Sequence, residues 1–125
     1  MIKLTEEKVL LLHQLISEET GADDEGYDAE LLNAALESAF ETVDGEEIYP
    51  TKHEKGARIC FSLVTEPAFA DSNVQIGLYV LMTFLEVNGV KLRPTAADLA
   101  RVGIALANGE MDYDDLLEWI LENEA

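Results

Sequence analysis

Few side chains in this 125-residue chain have types and spacings that could do chemistry. Four groups stand out: the imidazoles of His13 and His53, the thiol of Cys60, the cations Lys52, Lys55 and Arg58, and the polar run Asp71-Ser72-Asn73. An imidazole titrates near neutrality and can move a proton. His53 reads as an exposed residue of a helix, and His13, beside Leu12, as a half-buried packing residue. Cys60 sits between Ile59 and Phe61 and reads as a small core residue rather than a nucleophile. The three cations fall on one side of a helix. They could bind an anion, but pairing with Glu54 and the acidic surface is the simpler reading. Ser72 has the hydroxyl of a helix cap. Asp112, Asp114, Asp115 and Glu118 lack the spacing and the glycine turn of an EF-hand, and instead suit the positive end of a helix. No P-loop, no Cys/His metal spacing and no Ser/His/Asp arrangement is present.

The run 67–77 reads Pro-Ala-Phe-Ala-Asp-Ser-Asn-Val-Gln-Ile-Gly. It resembles the signature H-x-F-x-D-G-N-K-R of the Fic/Doc family, the death-on-curing toxins and their AMP-transferring relatives. Phe69, Asp71 and Asn73 stand at the Phe, Asp and Asn of that pattern. Pro67 stands at the His, Ser72 at the small residue, and Val74 and Gln75 at the Lys and Arg. The likeness extends in order over roughly residues 4 to 122 and is densest at 69–89. Gly26-Tyr27-Asp28, Tyr49-Pro50-Thr51 and Phe84-Leu85-Glu86-Val87-Asn88-Gly89 also resemble family segments.

The resemblance implies a chemistry and, in this chain, its loss. Family members transfer AMP or phosphate from a nucleotide to a protein hydroxyl. Their His is the general base, and their Asp helps hold magnesium. Their small residue and Asn open a helix whose N–H groups cradle phosphate, and Lys and Arg add charged donors. Pro67 offers no base, and removing a general base costs roughly 10²–10⁴-fold. Val74 and Gln75 remove two cations from the anion site. Asp71 without nearby cations repels a nucleotide unless magnesium intervenes. The catalytic set is therefore expected to be empty. Ligand binding, if any, falls to Asp71, Ser72 and Asn73, with Asp71 as the magnesium residue. Replacement bases would have to be Glu66, which reads as a solvent-facing helix-end carboxylate, or His53.

These residues must be positioned by helices, and helices are what the chain encodes. Thr5 suits a cap, with Val9, Leu12 and Ile16 forming a buried stripe as far as Thr20-Gly21. After an acidic loop, Asp28 caps a second helix whose apolar face runs from Leu31 to Val43, ended by Asp44-Gly45. Thr51 caps a third, with Ala57, Cys60, Phe61 and Val64 inward; Pro67 lies at or past its end. A fourth runs from about Asn73 to Val87, apolar all round and so central, and Asn88-Gly89 stops it. Thr95 opens a fifth, with Leu99, Val102, Ile104 and Leu106. A sixth starts near Met111-Asp112, with Leu116, Leu117, Trp119 and Ile120 inward. The expectation is one all-α domain over residues 1–125, a compact Fic/Doc-like bundle of about six helices around a central buried helix.

Composition narrows the function classes. Hydrophobic residues make up 48% and charged residues 27%, a globular balance. No apolar run approaches the eighteen or so residues that span a bilayer. The N-terminus lacks a signal-peptide pattern, and the lone cysteine suits a reducing cytoplasm. The net charge is −18, with no Lys or Arg between Lys8 and Lys52 and none after Arg101. Such a surface repels phosphate backbones and anionic membranes, so neither direct nucleic acid nor membrane is an expected partner. The resemblance implies a protein partner, an antitoxin-like segment in a groove near the loop, and acidic rims favour a basic segment. No cofactor is expected. The alternative is a divergent phosphoryl- or nucleotidyltransferase that modifies a protein hydroxyl with ATP and magnesium. Nucleic-acid mimicry by the acidic surface is a third, remote reading.

Overall fold

Short polar side chains start the helices where the sequence places them. The computed structural model describes residues 1–21, 26–70 and 72–125. Thr5, Asp28, Thr51, Thr95 and Asp112 each accept a hydrogen bond from a first-turn N–H. They open α1 (Glu6–Thr20), α2 (Ala29–Ser38), α3 (Lys52–Thr65), α5 (Ala96–Ala107) and α6 (Tyr113–Glu122). At α6, Asp112 and Asp115 cap each other's backbone N–H groups at 2.8 and 3.2 Å. This confirms the acidic cluster as a helix start. Between α3 and α5 runs α4 (Asn73–Val87). The described residues thus form the expected all-α bundle, with a two-stranded hairpin as the one extra piece.

That hairpin corrects the reading of Asp44-Gly45. α2 ends at Ser38, and Thr42–Val43 (β1) pairs antiparallel with Glu46–Glu47 (β2). Asp44 and Gly45 have φ of 52° and 80°, the left-handed pair of a tight hairpin turn. An Asp-Gly pair satisfies a helix stop and a hairpin turn equally well. Val43 is therefore exposed rather than packed on the α2 face.

The centre is α3 against α4. Two glycines let the helices approach: a Cβ on Gly56 would lie 3.0 Å from Leu81, and one on Gly77 3.0 Å from Val64 and 3.3 Å from the Cys60 carbonyl. α3 also packs on α2, α5 and α6, so its buried face is wider than the expected stripe. Ile59 and Leu63 are fully inside, while Phe61 and Val64 are half-buried. α4 buries Ile76, Leu78, Val80, Leu81, Phe84 and Leu85. It is nevertheless not enclosed on every side, because Tyr79 is 43% exposed. On α5, Ile104 points away from the core at 63% exposed. Asn88 does more than end α4. Its amide bonds both backbone groups of Ile2, at 2.7 and 2.9 Å, and the Phe84 carbonyl, tying down the N-terminus.

Candidate functional site

The loop between α3 and α4 is built from two anchors. Pro67 disfavours helical geometry in Glu66, whose φ of −124° and ψ of 73° end α3. The chain then turns inward at Phe69, 6% exposed, whose ring stacks on His13 with centroids 4.0 Å apart and planes 9° apart. Tyr27 flanks the same ring at 6.0 Å and bridges to Phe69 through the backbone. The Asp28 N–H donates to the Ala68 carbonyl at 2.7 Å. Asn73 is the second anchor. Its side-chain oxygen accepts from the Phe69 N–H at 3.1 Å, and its amide donates to the Phe69 carbonyl at 2.9 Å. One side chain thereby ties the start of α4 back to the backbone four residues earlier.

Ser72 occupies the left-handed region, φ 63° and ψ 27°, immediately before α4. A glycine sits there without strain; a residue with a Cβ costs about 1 kcal/mol. The expectation that the Ser72 hydroxyl caps the helix is not met: it makes no capping bond to the first turn of α4. Asp71, the residue that would meet magnesium if any is bound, lies outside the described residues.

Phe69 and Asn73 are thus brought together, while the other two motif positions face elsewhere. Val74 is half-buried beside Gly103 of α5. Gln75 is exposed and lines a cavity of about 220 Å³ with Leu78, Tyr79, Met82, Leu99 and Ala100. Pro67 is exposed and carries no titratable group. The first turn of α4 therefore presents backbone N–H groups and neutral side chains to an anion, with no cation among them.

The remaining candidates are occupied. His13 is buried under Phe69 rather than half-buried. His53 meets Glu124 at 2.8 Å near the start of α3, about 20 Å of helix away from Pro67. Glu66 is exposed, as expected, at the mouth of a polar cavity of about 200 Å³ that Arg58, Glu41 and Ser62 also line. The basic trio does not form one group. Lys52 donates to the Asn88 carbonyl at 2.6 Å, and Arg58 lies over the Tyr49 ring. Lys55, 1% exposed, pairs with Glu47 at 3.0 Å and also donates to the Tyr49 carbonyl. Glu54 instead accepts from the Thr51 hydroxyl. Burial pushes the Cys60 thiol up to about 12, which keeps it protonated and inert. Tyr27 is held above its usual range by its hydrogen bond to the Glu6 carboxylate.

Sequence reasoning missed the supporting partners of the loop. Tyr27 carries no role in the sequence beyond its likeness to a family segment and Asp28 only that of a cap, yet both brace residues 68–69. No local pattern carries that pairing across some forty positions of sequence. The retained Asn73 was the available signal.

No group of three or more His, Cys, Asp or Glu side chains among the described residues is arranged to hold a metal. No described helix is long and apolar enough to cross a membrane. No protein-family model matches the chain. Over 62 residues it is 37% identical to toxin Doc of Mycolicibacterium smegmatis, a stretch covering 50% of this chain and 48% of that protein. The chain thus spans about half the length of the curated relative it matches, and over that half it is similar to a Doc toxin.

Proposed function

We propose that this protein is a Doc-like member of the toxin–antitoxin class that has lost the family's transfer chemistry and acts by binding a protein partner. One observation carries the reading: Phe69 and Asn73, which match the family signature, hold the backbone, while positions 67, 74 and 75, where that signature has a base and two cations, offer neither. Phe69 and Asn73 fix the loop through stacking and two backbone hydrogen bonds. Positions 67, 74 and 75 supply no base and no cation. The similarity to a Doc toxin supports the class.

The residues present do not suit a magnesium–nucleotide. A triphosphate brings several negative charges, and this chain already carries −18. Asn73 has its amide committed to Phe69. Val74 and Gln75 turn toward α5, where their neighbours are apolar. No transfer step is therefore assigned to the loop. A cytoplasmic location belongs to the same proposal, in keeping with the unpaired Cys60.

A second reading, divergent ATP-dependent modification of a protein hydroxyl, has one residue in its favour. Glu66 is exposed next to Pro67 and shares a polar cavity with Arg58. His53 is not available to that role, being engaged by Glu124 at the far end of α3. Incubation of a cell lysate with the protein and ATP labelled at the α- or γ-phosphate separates the two readings. We expect no transferred label under conditions where an active Fic or Doc protein labels its target. Label that disappears in Glu66→Gln would replace the first reading with the second.

A further inference from the structure

The polar cavity of about 200 Å³ lies between α2 and α3, and no residue of α4 lines it. Along α3, Arg58, Ser62 and Glu66 line it at spacings of four, so they stand in a row over about 12 Å of helix. The two helices run antiparallel here. Ser38 and Ser62 bring their hydroxyl oxygens within 3.4 Å, and at the other end of α2 the Asp28 N–H meets the Ala68 carbonyl. Glu41, just past α2, therefore lies toward the Arg58 end, and Leu31 toward the Glu66 end.

The charged groups around this cavity are uncommitted. Ion pairs among the described residues engage Lys3, His53, Lys55 and Arg101, and none engages Arg58, Glu41 or Glu66. Arg58 is half-buried over the Tyr49 ring, a contact that holds the guanidinium without using its N–H donors. Ser38 and Ser62 are buried between the two ends, and the Ser38 hydroxyl donates to the Ala35 carbonyl at 2.7 Å. Their oxygens keep acceptor capacity beside the cavity.

An unpaired guanidinium in a chain of net charge −18 can take an anionic group. The two carboxylates beside it repel a phosphate and attract cations. A simple diamine would satisfy the carboxylates and leave Arg58 opposed. The complement of one guanidinium and two carboxylates is a molecule with one carboxylate and two cationic groups.

We propose that this cavity binds a free dibasic α-amino acid of the lysine or arginine type. Its carboxylate pairs with Arg58 and its α-ammonium with Glu41. Its methylene chain runs along α3 past Ser62 and Leu31, and its terminal cation meets Glu66. Six bonds separate the carboxyl carbon of lysine from its terminal nitrogen, roughly 7 Å, and the Arg58 and Glu66 side chains reach inward over the rest of the 12 Å row. The volume falls below the roughly 300 Å³ at which drug-sized pockets begin, which suits so small a ligand. This site is separate from the motif loop and from partner binding, and its test reads neither.

The test is calorimetric titration of the native protein with L-lysine and L-arginine at low salt. Saturable binding of at least one, with a submillimolar Kd, is expected. Three relatives of lysine each lack one charge: norleucine the terminal ammonium, cadaverine the carboxylate, and Nα-acetyl-L-lysine the α-ammonium. Each should bind at least tenfold more weakly, about 1.4 kcal/mol. Glu66→Gln, at an exposed position, should weaken lysine at least fivefold and shrink its advantage over norleucine. Arg58→Gln should weaken lysine about tenfold and leave cadaverine no weaker. Glu118→Gln removes the same charge from the exposed face of α6 and should change lysine binding less than about twofold. No saturable binding of either amino acid up to about 10 mM would overturn the proposal. So would cadaverine binding as well as lysine, which would mean general attraction of cations to an acidic protein. Equal affinity for Nα-acetyl-L-lysine, or equal losses in Glu66→Gln and Glu118→Gln, would overturn it too. The ligand series needs no variant, so a folding defect in Arg58→Gln leaves the test intact.

Discussion

The inner and outer sides of α4 and its lead-in loop obey different rules. Inside, Phe69 stacks on His13, Asn73 closes the loop on the Phe69 backbone, and Gly77 admits α3 to close contact. Outside, Val74, Gln75 and Tyr79 border open concavities. Phe69 and Asn73, which match the resembled signature, are on the first side, and Val74 and Gln75, which depart from it, are on the second. A fold needs its inner contacts whatever the chain does. Outer side chains are free of that constraint, and here Val74, Gln75 and Tyr79 carry no charge.

Substitutions should separate the two sides by size of effect. Phe69→Ala removes a buried ring and should cost about 3–5 kcal/mol, read by thermal or urea unfolding. A cost under about 1 kcal/mol would show that the loop is not anchored there. Gly77→Ala places a methyl against Val64 and the Cys60 carbonyl and should cost about 1–3 kcal/mol. Asn73→Ala loses two backbone hydrogen bonds and should cost about 1–3 kcal/mol. Gln75→Arg, on the outer side, should change stability by less than about 0.5 kcal/mol. Ser72→Gly relieves a left-handed backbone and should stabilise by several tenths to about 1 kcal/mol.

The inner side also has a pH signature. The Cys60 thiol rises from 9.0 to about 12 through burial. The folded state then holds a proton that the unfolded chain releases. Stability is full below about pH 9 and is lost as pH rises toward about 12, at up to about 1.4 kcal/mol per unit for one group. Tyr113, pushed up to about 12 mainly by burial and then by Glu54, adds a loss of the same sign above pH 10. Cys60→Ala should flatten the part of this slope between pH 9 and 10.

Local chemistry made the helices legible. A cap needs one side-chain oxygen and one N–H three residues on, so Thr5, Asp28, Thr51, Thr95 and Asp112 could be read in sequence. Asp44-Gly45 was ambiguous because the same two residues suit two structures. The pairing of Lys55 with an acidic residue was legible, but its burial was not, because a buried cation depends on partners brought by another element, Glu47 and the Tyr49 carbonyl. The loop was half legible. Its departures from the resembled signature were visible at once, but the stacking of Phe69 on His13 is a tertiary fact. The exposure of Tyr79 could not be read because a strongly apolar helix looks enclosed until its neighbours are placed.

Titration of the native protein with ATP and magnesium by calorimetry tests the central claim most directly. With Pro67, Val74 and Gln75 in place of a base and two cations, no saturable binding is predicted up to millimolar nucleotide. Binding at micromolar strength or tighter, dependent on magnesium, would contradict it.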